Sequence, residues 1–373
     1  MTEIDIHEMS IVNDRIYGIN YKYSMLCEID AYTYTVKRFK SLISETEGLL
    51  FLNSTEHYRH IITSNKAIYV VNTIAKELFV FDFELKLIQT IVFLKKKEYV
   101  SFIGESNNRL FIYAVNSAQI LAIDMFCWKV EKYDLPSYCV DRINSMAIRI
   151  FGDSLWLTGY IGPCILEVST IDGSIFEHKI DGVIGDVCLC EAEDDFFWVC
   201  TQQEILKWKK EDNISEKIYN IPIEEGVTKS QMPFYSTCLI NNCLWLFPIG
   251  GDKLLKIENG EFNIKWYKIN HTSRNLKRRK IFSYLDCGYN REIIYGLDNQ
   301  LKNIVLNTEQ GDVQYIHFMI QDDLLQETKR KWTKKKLSMD ERLFSLSELI
   351  EFQLSADSEK DFTDVGRQIY NRI

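Results

Sequence analysis

One strand–loop–strand pattern recurs seven times along the chain, its copies 40 to 52 residues apart, each with an aromatic set in an apolar run. Together these features predict an all-β fold: a seven-bladed β-propeller with four-stranded blades, followed by a C-terminal α-helical tail. The copies run Ile16-Tyr17 to Ile29-Asp30, Ile68-Tyr69 to Phe81-Asp82, Leu110-Phe111 to Ile123-Asp124, and Leu155-Trp156 to Val168-Ser169. They continue with Phe197-Trp198 to Trp208-Lys209, Leu244-Trp245 to Ile257-Glu258, and Ile294-Tyr295 to Leu306-Asn307. One four-stranded sheet cannot cover both of its apolar faces. Stacking blades buries those faces, and circular closure removes the two exposed ends. The division expected is 1–320 for the propeller and 321–373 for a helical appendage.

Each repeat divides into four short runs rich in Val, Ile, Phe and Tyr, separated by polar or small residues. The third reads Val100–Glu105, Arg109–Ala114, Gln119–Asp124 and Lys129–Asp134. First-strand counterparts are Ile4–Ile11, His60–Ser64, Ala147–Phe151, Val187–Glu191, Ser236–Ile240 and Ile281–Asp286. The recurrent aromatics Tyr17, Tyr69, Phe111, Trp156, Trp198, Trp245 and Tyr295 are expected between blades, as core rather than as a ligand cage. The long first interval leaves room for an added strand at Leu49–Asn53. Six blades plus an irregular unit is the other arrangement the spacing allows.

The 373 residues are 46% apolar, 26% charged and 13% aromatic, an ordinary globular balance with an aromatic excess that suits many packed strands. The start, Met1-Thr2-Glu3-Ile4-Asp5, has neither a basic nor an apolar leader segment, and no apolar run reaches the ~18 residues of a membrane helix. A cytoplasmic location is expected. The ten cysteines form no paired framework and are expected as free, buried thiols. Net charge is −9, unevenly spread: segments 268–280 and 329–336 each carry six basic residues and no acid. Without those twelve, 32 basic residues stand against 53 acidic ones.

Ala67-Ile68-Tyr69-Val70-Val71-Asn72, followed by Leu78–Asp82 and Gln89–Ile91, resembles a YVTN-type propeller repeat. Arg109–Tyr113 with Ile120–Asp124 is a weaker copy. The resemblance covers roughly residues 1–318 as degenerate repeats. Blade ends carry no Trp-Asp dipeptide, unlike WD40 repeats, and Gly250-Gly251 is the one glycine pair, unlike regular kelch repeats. The general look is similar to divergent bacterial propellers, whose functions vary. The resemblance therefore implies a fold and not an activity.

Beyond Gln321 the strand period stops. Leu343, Leu346, Ile350 and Leu354 share one helical face, Ser338 and Glu341 fit a capping box, and Phe362, Val365, Ile369 and Ile373 repeat the spacing. Two or three amphipathic helices are expected here.

Chemistry-bearing motifs are sparse. Cys188 and Cys190 alternate on a strand, so they should share a face, but no second pair completes a zinc site. The six histidines are scattered, and neither a nucleophile elbow nor a phosphate-cradling loop is present. No metal and no cofactor is expected. Gluconolactonase-type and streptogramin-lyase-type propellers assemble their sites from different blades, so Glu105, Asp153, Glu191, Asn241 and Asp286 stand as candidates for such a site. All five also suit turns.

The loop-rich face is the better place to seek function. Loops between the second and third strands, together with those between blades, place Tyr21, Asn72, Asn116, Tyr160, Gln202, Asp252 and Asn299 there. Amides and phenols suit polar recognition. Arg274, Lys277, Arg278 and Arg279, between blades six and seven, could clamp a phosphate, a nucleic-acid backbone or an acidic peptide. Nucleic acid is the least supported of the three, because no aromatics interleave the charges. The function expected is a non-enzymatic scaffold for a protein or peptide partner. The alternatives are a propeller lyase or hydrolase acting on a carbohydrate or lactone, and a glycan-binding accessory protein of polysaccharide biosynthesis.

Overall fold

The computed structural model describes residues 1–12, 14–21, 23–42, 59–221, 233–248, 253–258, 264–268, 283–288, 292–297 and 302–338. A short strand β1 (Thr2–Ile4) precedes blade one, β2 (Glu8–Val12), β3 (Arg15–Asn20), β4 (Met25–Asp30) and β5 (Val36–Ser41). Blade two is β6 (Arg59–Thr63), β7 (Ile68–Asn72), β9 (Glu77–Phe81) and β10 (Leu87–Val92), with the two-residue β8 (Ile74–Ala75) between its middle strands. Blade three is β11 (Glu98–Ser106), β12 (Arg109–Ala114), β13 (Gln119–Asp124) and β14 (Val130–Asp134). Blade four is β15 (Arg149–Phe151), β16 (Ser154–Leu157), β17 (Cys164–Ser169) and β18 (Ile175–Lys179). Blade five is β19 (Val187–Glu193), β20 (Phe196–Thr201), β21 (Glu204–Lys209) and β22 (Ile214–Asn220). Blade six is β23 (Phe234–Ile240), β24 (Cys243–Pro248), β25 (Lys253–Glu258) and β26 (Ile264–Lys268). Blade seven is β27 (Ser283–Gly288), β28 (Ile293–Leu297), β29 (Asn303–Asn307) and β30 (Val313–Tyr315). The chain then forms β31 (Phe318–Ile320) and a helix, α1 (Asp322–Ser338). Every blade is an antiparallel meander, and β8 extends blade three beyond β11. First strands of neighbouring blades pack on one another around the axis.

The recurrent aromatics are buried at 0–3% exposure and occupy the seams between blades. Tyr17 packs on Ile68, Val70 and Phe79 of blade two, and Tyr69 on Leu110, Ile112 and Leu121 of blade three. Phe111 meets Leu155 and Leu166 of blade four, Trp156 meets Phe197 and Trp208 of blade five, and Trp198 meets Leu244 and Leu255 of blade six. Trp245 meets Ile294 and Ile304 of blade seven, and Tyr295 closes the ring on Ile16, Met25 and Ile29 of blade one. Each blade thus covers one face of the next among the described residues.

In four blades the Asp, Ser or Asn that ends the third strand also has a physical role. Asp30 Oδ1 accepts from the backbone N–H of Tyr32 and Thr33 at 3.0 and 2.9 Å, and Asp124 Oδ1 from Phe126 and Cys127, both at 2.8 Å. Ser169 and Asn307 make the same bonds to the residues two and three positions on. These side chains satisfy the turn into the outer strand, which is why Asp, Ser and Asn recur there. The bonds hold the Asp30 and Asp124 carboxyls below the usual carboxylate range.

Two sequence expectations change. The first run, expected unbroken over Ile4–Ile11, is split. Thr2–Ile4 leaves blade one to pair antiparallel with Phe318–Ile320, and Glu8–Val12 is the inner strand. Ring closure needs part of one terminus to reach the other, so the strand breaks at Asp5–His7. Cys188 and Cys190 do not share a face: Cys188 packs in the seam towards blade six and Cys190 in the seam towards blade four. A register shift between Val187 and Leu189 turns the alternation over. The expected strand at Leu49–Asn53 and the helical faces from Leu343 onward lie outside the described residues.

Candidate functional site

The meander order sends the loops between second and third strands, together with the linkers between blades, to one face. Of the sequence-selected residues, Tyr21, Asn72, Asn116, Tyr160 and Gln202 are described there; Asp252, Asn299, Arg274, Lys277, Arg278 and Arg279 lie outside the described residues. Tyr21 is buried, its ring stacked on His7 with centroids 4.6 Å apart, and its N–H donates to His7 Nδ1 at 3.2 Å. Asn72 is half-buried at the end of β7, and Gln202 is exposed. Asn116 is exposed, and its Oδ1 accepts from the Tyr99 N–H at 3.1 Å, tying its loop to the start of β11. Tyr160 is exposed, and its N–H donates to Arg142 O at 2.7 Å.

Glycine explains how Tyr160 is presented. The linker 139–147 runs against the loop carrying Gly159, and a Cβ there would lie 2.1 Å from Arg142 O and 2.7 Å from Asn144 N. Only glycine admits that approach. The Asn144 N–H donates to Thr158 O and the Gly159 N–H to Val187 O, so two linkers grip one loop. Gly162 N–H donates to Asp186 Oδ1 at 2.8 Å, fastening the next linker, where Ile184 stands 95% exposed between Gly182 and Gly185. Tyr99, Tyr138 and Val140 are also exposed, and Tyr138 donates its hydroxyl to Glu177. The face over blades three to five therefore presents several exposed apolar and aromatic side chains, with Lys95, Lys96, Lys97 and Arg142, and also Asp141 and Asp181, exposed on the same linkers. Sequence reasoning singled out Asn116 and Tyr160 on this face, but not Tyr99, Tyr138, Val140 or Ile184.

The centre of the ring holds a second polar group. Arg149 on β15 donates Nε to Glu191 Oε2 at 2.8 Å and Nη2 to Thr237 O at 2.7 Å, and Thr237 Oγ1 donates to Glu191 Oε2 at 2.9 Å. Blades four, five and six are linked by these bonds. Across blades one and two, Ser10 Oγ lies 2.8 Å from Thr63 Oγ1, and His60 Nδ1 lies 3.9 Å from Glu8 Oε1. Burial pushes the His60 imidazole down to about 4, so near neutral pH its contact with Glu8 is not an ion pair. Of the residues weighed for a catalytic site, Glu191 belongs to this belt. Asp153 instead accepts from Asn107 at 2.9 Å, Asn241 forms a turn with φ 50°, and Glu105 is exposed. Among the described residues no three His, Cys, Asp or Glu side chains gather to hold a metal ion. Burial pushes the thiols of Cys188 and Cys190 up to about 12.

No family profile matches the chain, and no curated protein matches its sequence. Solved structures do match. The virginiamycin B lyase of Staphylococcus aureus superposes with a TM-score of 0.58 at 14% identity, covering 80% of this chain and 95% of the lyase. A catalytically inactive histidine-to-alanine variant of that lyase, solved with quinupristin, gives the same score and identity. The Pan2 WD40 domain of Neurospora crassa superposes with a TM-score of 0.53 at 9% identity, covering 84% and 91%. The chain is a divergent β-propeller repeat protein. At these identities the likeness carries the fold alone. Among the described residues no helix is long and apolar enough to cross a membrane.

Proposed function

We propose that this chain is a non-enzymatic binding scaffold that recognises a protein or peptide partner through its loop-rich face. The observation that carries the reading is the cluster of Tyr99, Val140, Tyr160 and Ile184, exposed on loops and strand ends of neighbouring blades. Apolar and aromatic side chains concentrated on one rigid face are the usual anchors of a protein interface. Lys95, Lys96, Lys97 and Arg142 beside them favour an acidic partner segment, as does the basic stretch containing Arg274, Lys277, Arg278 and Arg279. The central belt supports the same reading from the other side. Arg149, Glu191 and Thr237 spend their hydrogen bonds on one another and hold blades together, whereas a catalytic group must point at a substrate. The finer expectations, a cytoplasmic and bacterial protein, stay with this proposal.

Affinity capture with the full chain, with mass-spectrometric identification of what is bound, tests it. A Tyr160→Ser, Ile184→Glu variant should lose the partner while its melting temperature stays near wild type. Retention of every partner by that variant would remove the face from consideration. The second reading, a propeller lyase or hydrolase for a carbohydrate or lactone, draws on His60, a neutral imidazole beside Glu8 on an inner strand. Turnover of such a substrate by wild type, abolished by His60→Gln, would favour it over the scaffold.

A further inference from the structure

The outer strands of a propeller are free edges, and free edges pair with whatever strand they meet unless something discourages it. Charge is the usual deterrent, and most blades here use it. β5 carries Lys37, Arg38 and Lys40; β14 carries Glu131, Lys132 and Asp134; β18 carries Glu177 and Lys179; β22 carries Glu216 and Lys217; β26 carries Lys265 and Lys268. The three-residue β30 has no charge but is too short to offer a ladder. β10 is different. Its six residues, Leu87-Ile88-Gln89-Thr90-Ile91-Val92, include no charged residue, no glycine and no proline. Leu87, Ile88 and Val92 are 40, 54 and 62% exposed.

The backbone of β10 is open in a defined way. Its ladder with β9 sets Thr90 opposite Phe79, Ile91 opposite Leu78 and Val92 opposite Glu77. Phe93 N–H donates to Lys76 O at 2.9 Å, which fixes the alternation: Gln89 and Ile91 bond inward, and Thr90 and Val92 turn their N–H and C=O groups outward. The Thr90 carbonyl agrees, since it accepts from the Gln89 side-chain amide at 3.4 Å.

We infer that β10 is a self-association edge, pairing antiparallel with β10 of a second copy of this chain. With the two-fold axis at Ile91, Thr90 stands opposite Val92 of the partner subunit and Val92 opposite Thr90 of the partner subunit. The two outward pairs then exchange four backbone hydrogen bonds, joining both second blades into one continuous sheet. A second copy is the fitting occupant because the strand is uncharged: β5 laid against itself would set three cations against three, whereas β10 meets no like charge. The register also sets β-branched Thr90 against β-branched Val92, a favoured cross-strand pair. The contact is small, so the dimer forms reversibly with concentration and, lacking charge, persists at high salt. This inference does not depend on the loop-face reading, because β10 lies at the outer edge of its blade.

Sedimentation velocity on the full chain, from micromolar to millimolar concentration, tests it. Wild type should shift from monomer to dimer, in low and high salt alike. Val92→Pro removes an outward N–H without touching the ladder with β9, and Val92→Lys installs the missing charge. Both should stay monomeric while melting near wild type. Ile214→Lys, on the exposed outer strand of blade five, should dimerise as wild type does. A wild type that stays monomeric throughout overturns the inference, as does a Val92→Lys variant that dimerises normally. Should Val92→Pro fail to fold, Val92→Lys decides, since that side chain already lies in water.

Discussion

Asn303 holds Ile6 at both backbone groups: the Ile6 N–H donates to Asn303 Oδ1 at 2.8 Å, and Asn303 Nδ2 donates to Ile6 O at 2.6 Å. The two residues lie 297 positions apart, and Asn303 is 3% exposed. A side-chain amide here acts as one rung of a sheet, docking the N-terminal segment on blade seven. Lys302 adds an ion pair to Asp5 at 2.9 Å, and β1 pairs with β31 beyond it. The ring is closed by these contacts rather than by a strand shared within one blade.

Asn303→Asp tests that closure. The aspartate keeps an acceptor for the Ile6 N–H but sets an oxygen against the Ile6 carbonyl and loses the donor. Leaving that buried carbonyl unsatisfied should cost ~1–3 kcal/mol. The urea midpoint should fall, and amide exchange should quicken first in 2–6 and 318–320. Unchanged exchange in those two segments would show that closure depends on something else.

The seam aromatics should dominate stability. Trp156→Ala and Trp245→Ala remove side chains that are 3 and 0% exposed and should each cost ~3–5 kcal/mol. Ile171→Ala, at a side chain 61% exposed, should stay within ~0.5 kcal/mol of wild type. Thermal melts of the three variants read the contrast directly, and a Trp245→Ala melt near wild type would contradict the seam assignment.

Arg149 and Glu191 should behave as one unit. Arg149→Met strands the Glu191 carboxylate, and Glu191→Gln strands the guanidinium, each at about 2–4 kcal/mol. The double variant should lose less than the sum of the single losses by at least ~1 kcal/mol, because neither charge is then left behind. A double-mutant cycle in urea supplies the coupling, and strict additivity would dissolve the proposed unit.

His60 should make stability depend on acid. Its folded pKa is depressed from 6.5 to about 4, so between those values the unfolded chain holds a proton that the folded chain does not. Stability from this residue is complete above pH 6.5 and is lost as pH falls towards 4. The loss should be on the order of 2–3 kcal/mol. His60→Gln, which cannot titrate, should flatten this part of the profile. Parallel pH profiles for wild type and variant would mean that the imidazole protonates freely in the fold.

Cysteine reactivity should divide sharply. Cys127 is exposed, whereas Cys27, Cys188, Cys190 and Cys200 are buried with thiols pushed up by desolvation. Alkylation of the native chain, mapped by mass spectrometry, should mark Cys127 first and leave these four until urea is added. Early labelling of Cys190 would show that the seam between blades four and five opens readily.

Repeat number, the seam aromatics and the residues that end the third strands were legible in the sequence, because each is set by local chemistry. An aromatic at Tyr17 or Trp245 announces a buried strand through its apolar neighbours, and Asp30 or Asn307 announces a turn through the backbone N–H groups it caps. The polar contacts and strand registers that tie distant segments together were not legible. The pairing of Asn303 with Ile6, the belt joining Arg149, Glu191 and Thr237, and the bulge that separates Cys188 from Cys190 all depend on how distant strands come into register. The loop-rich face followed the same division. Asn116 and Tyr160 stood out as polar loop residues, whereas Tyr99 and Ile184 look in the sequence like any apolar residue beside a strand. Only the packed ring decides which apolar side chains find a neighbouring blade and which remain in water, because burial is a property of the surfaces that meet and not of the residue alone.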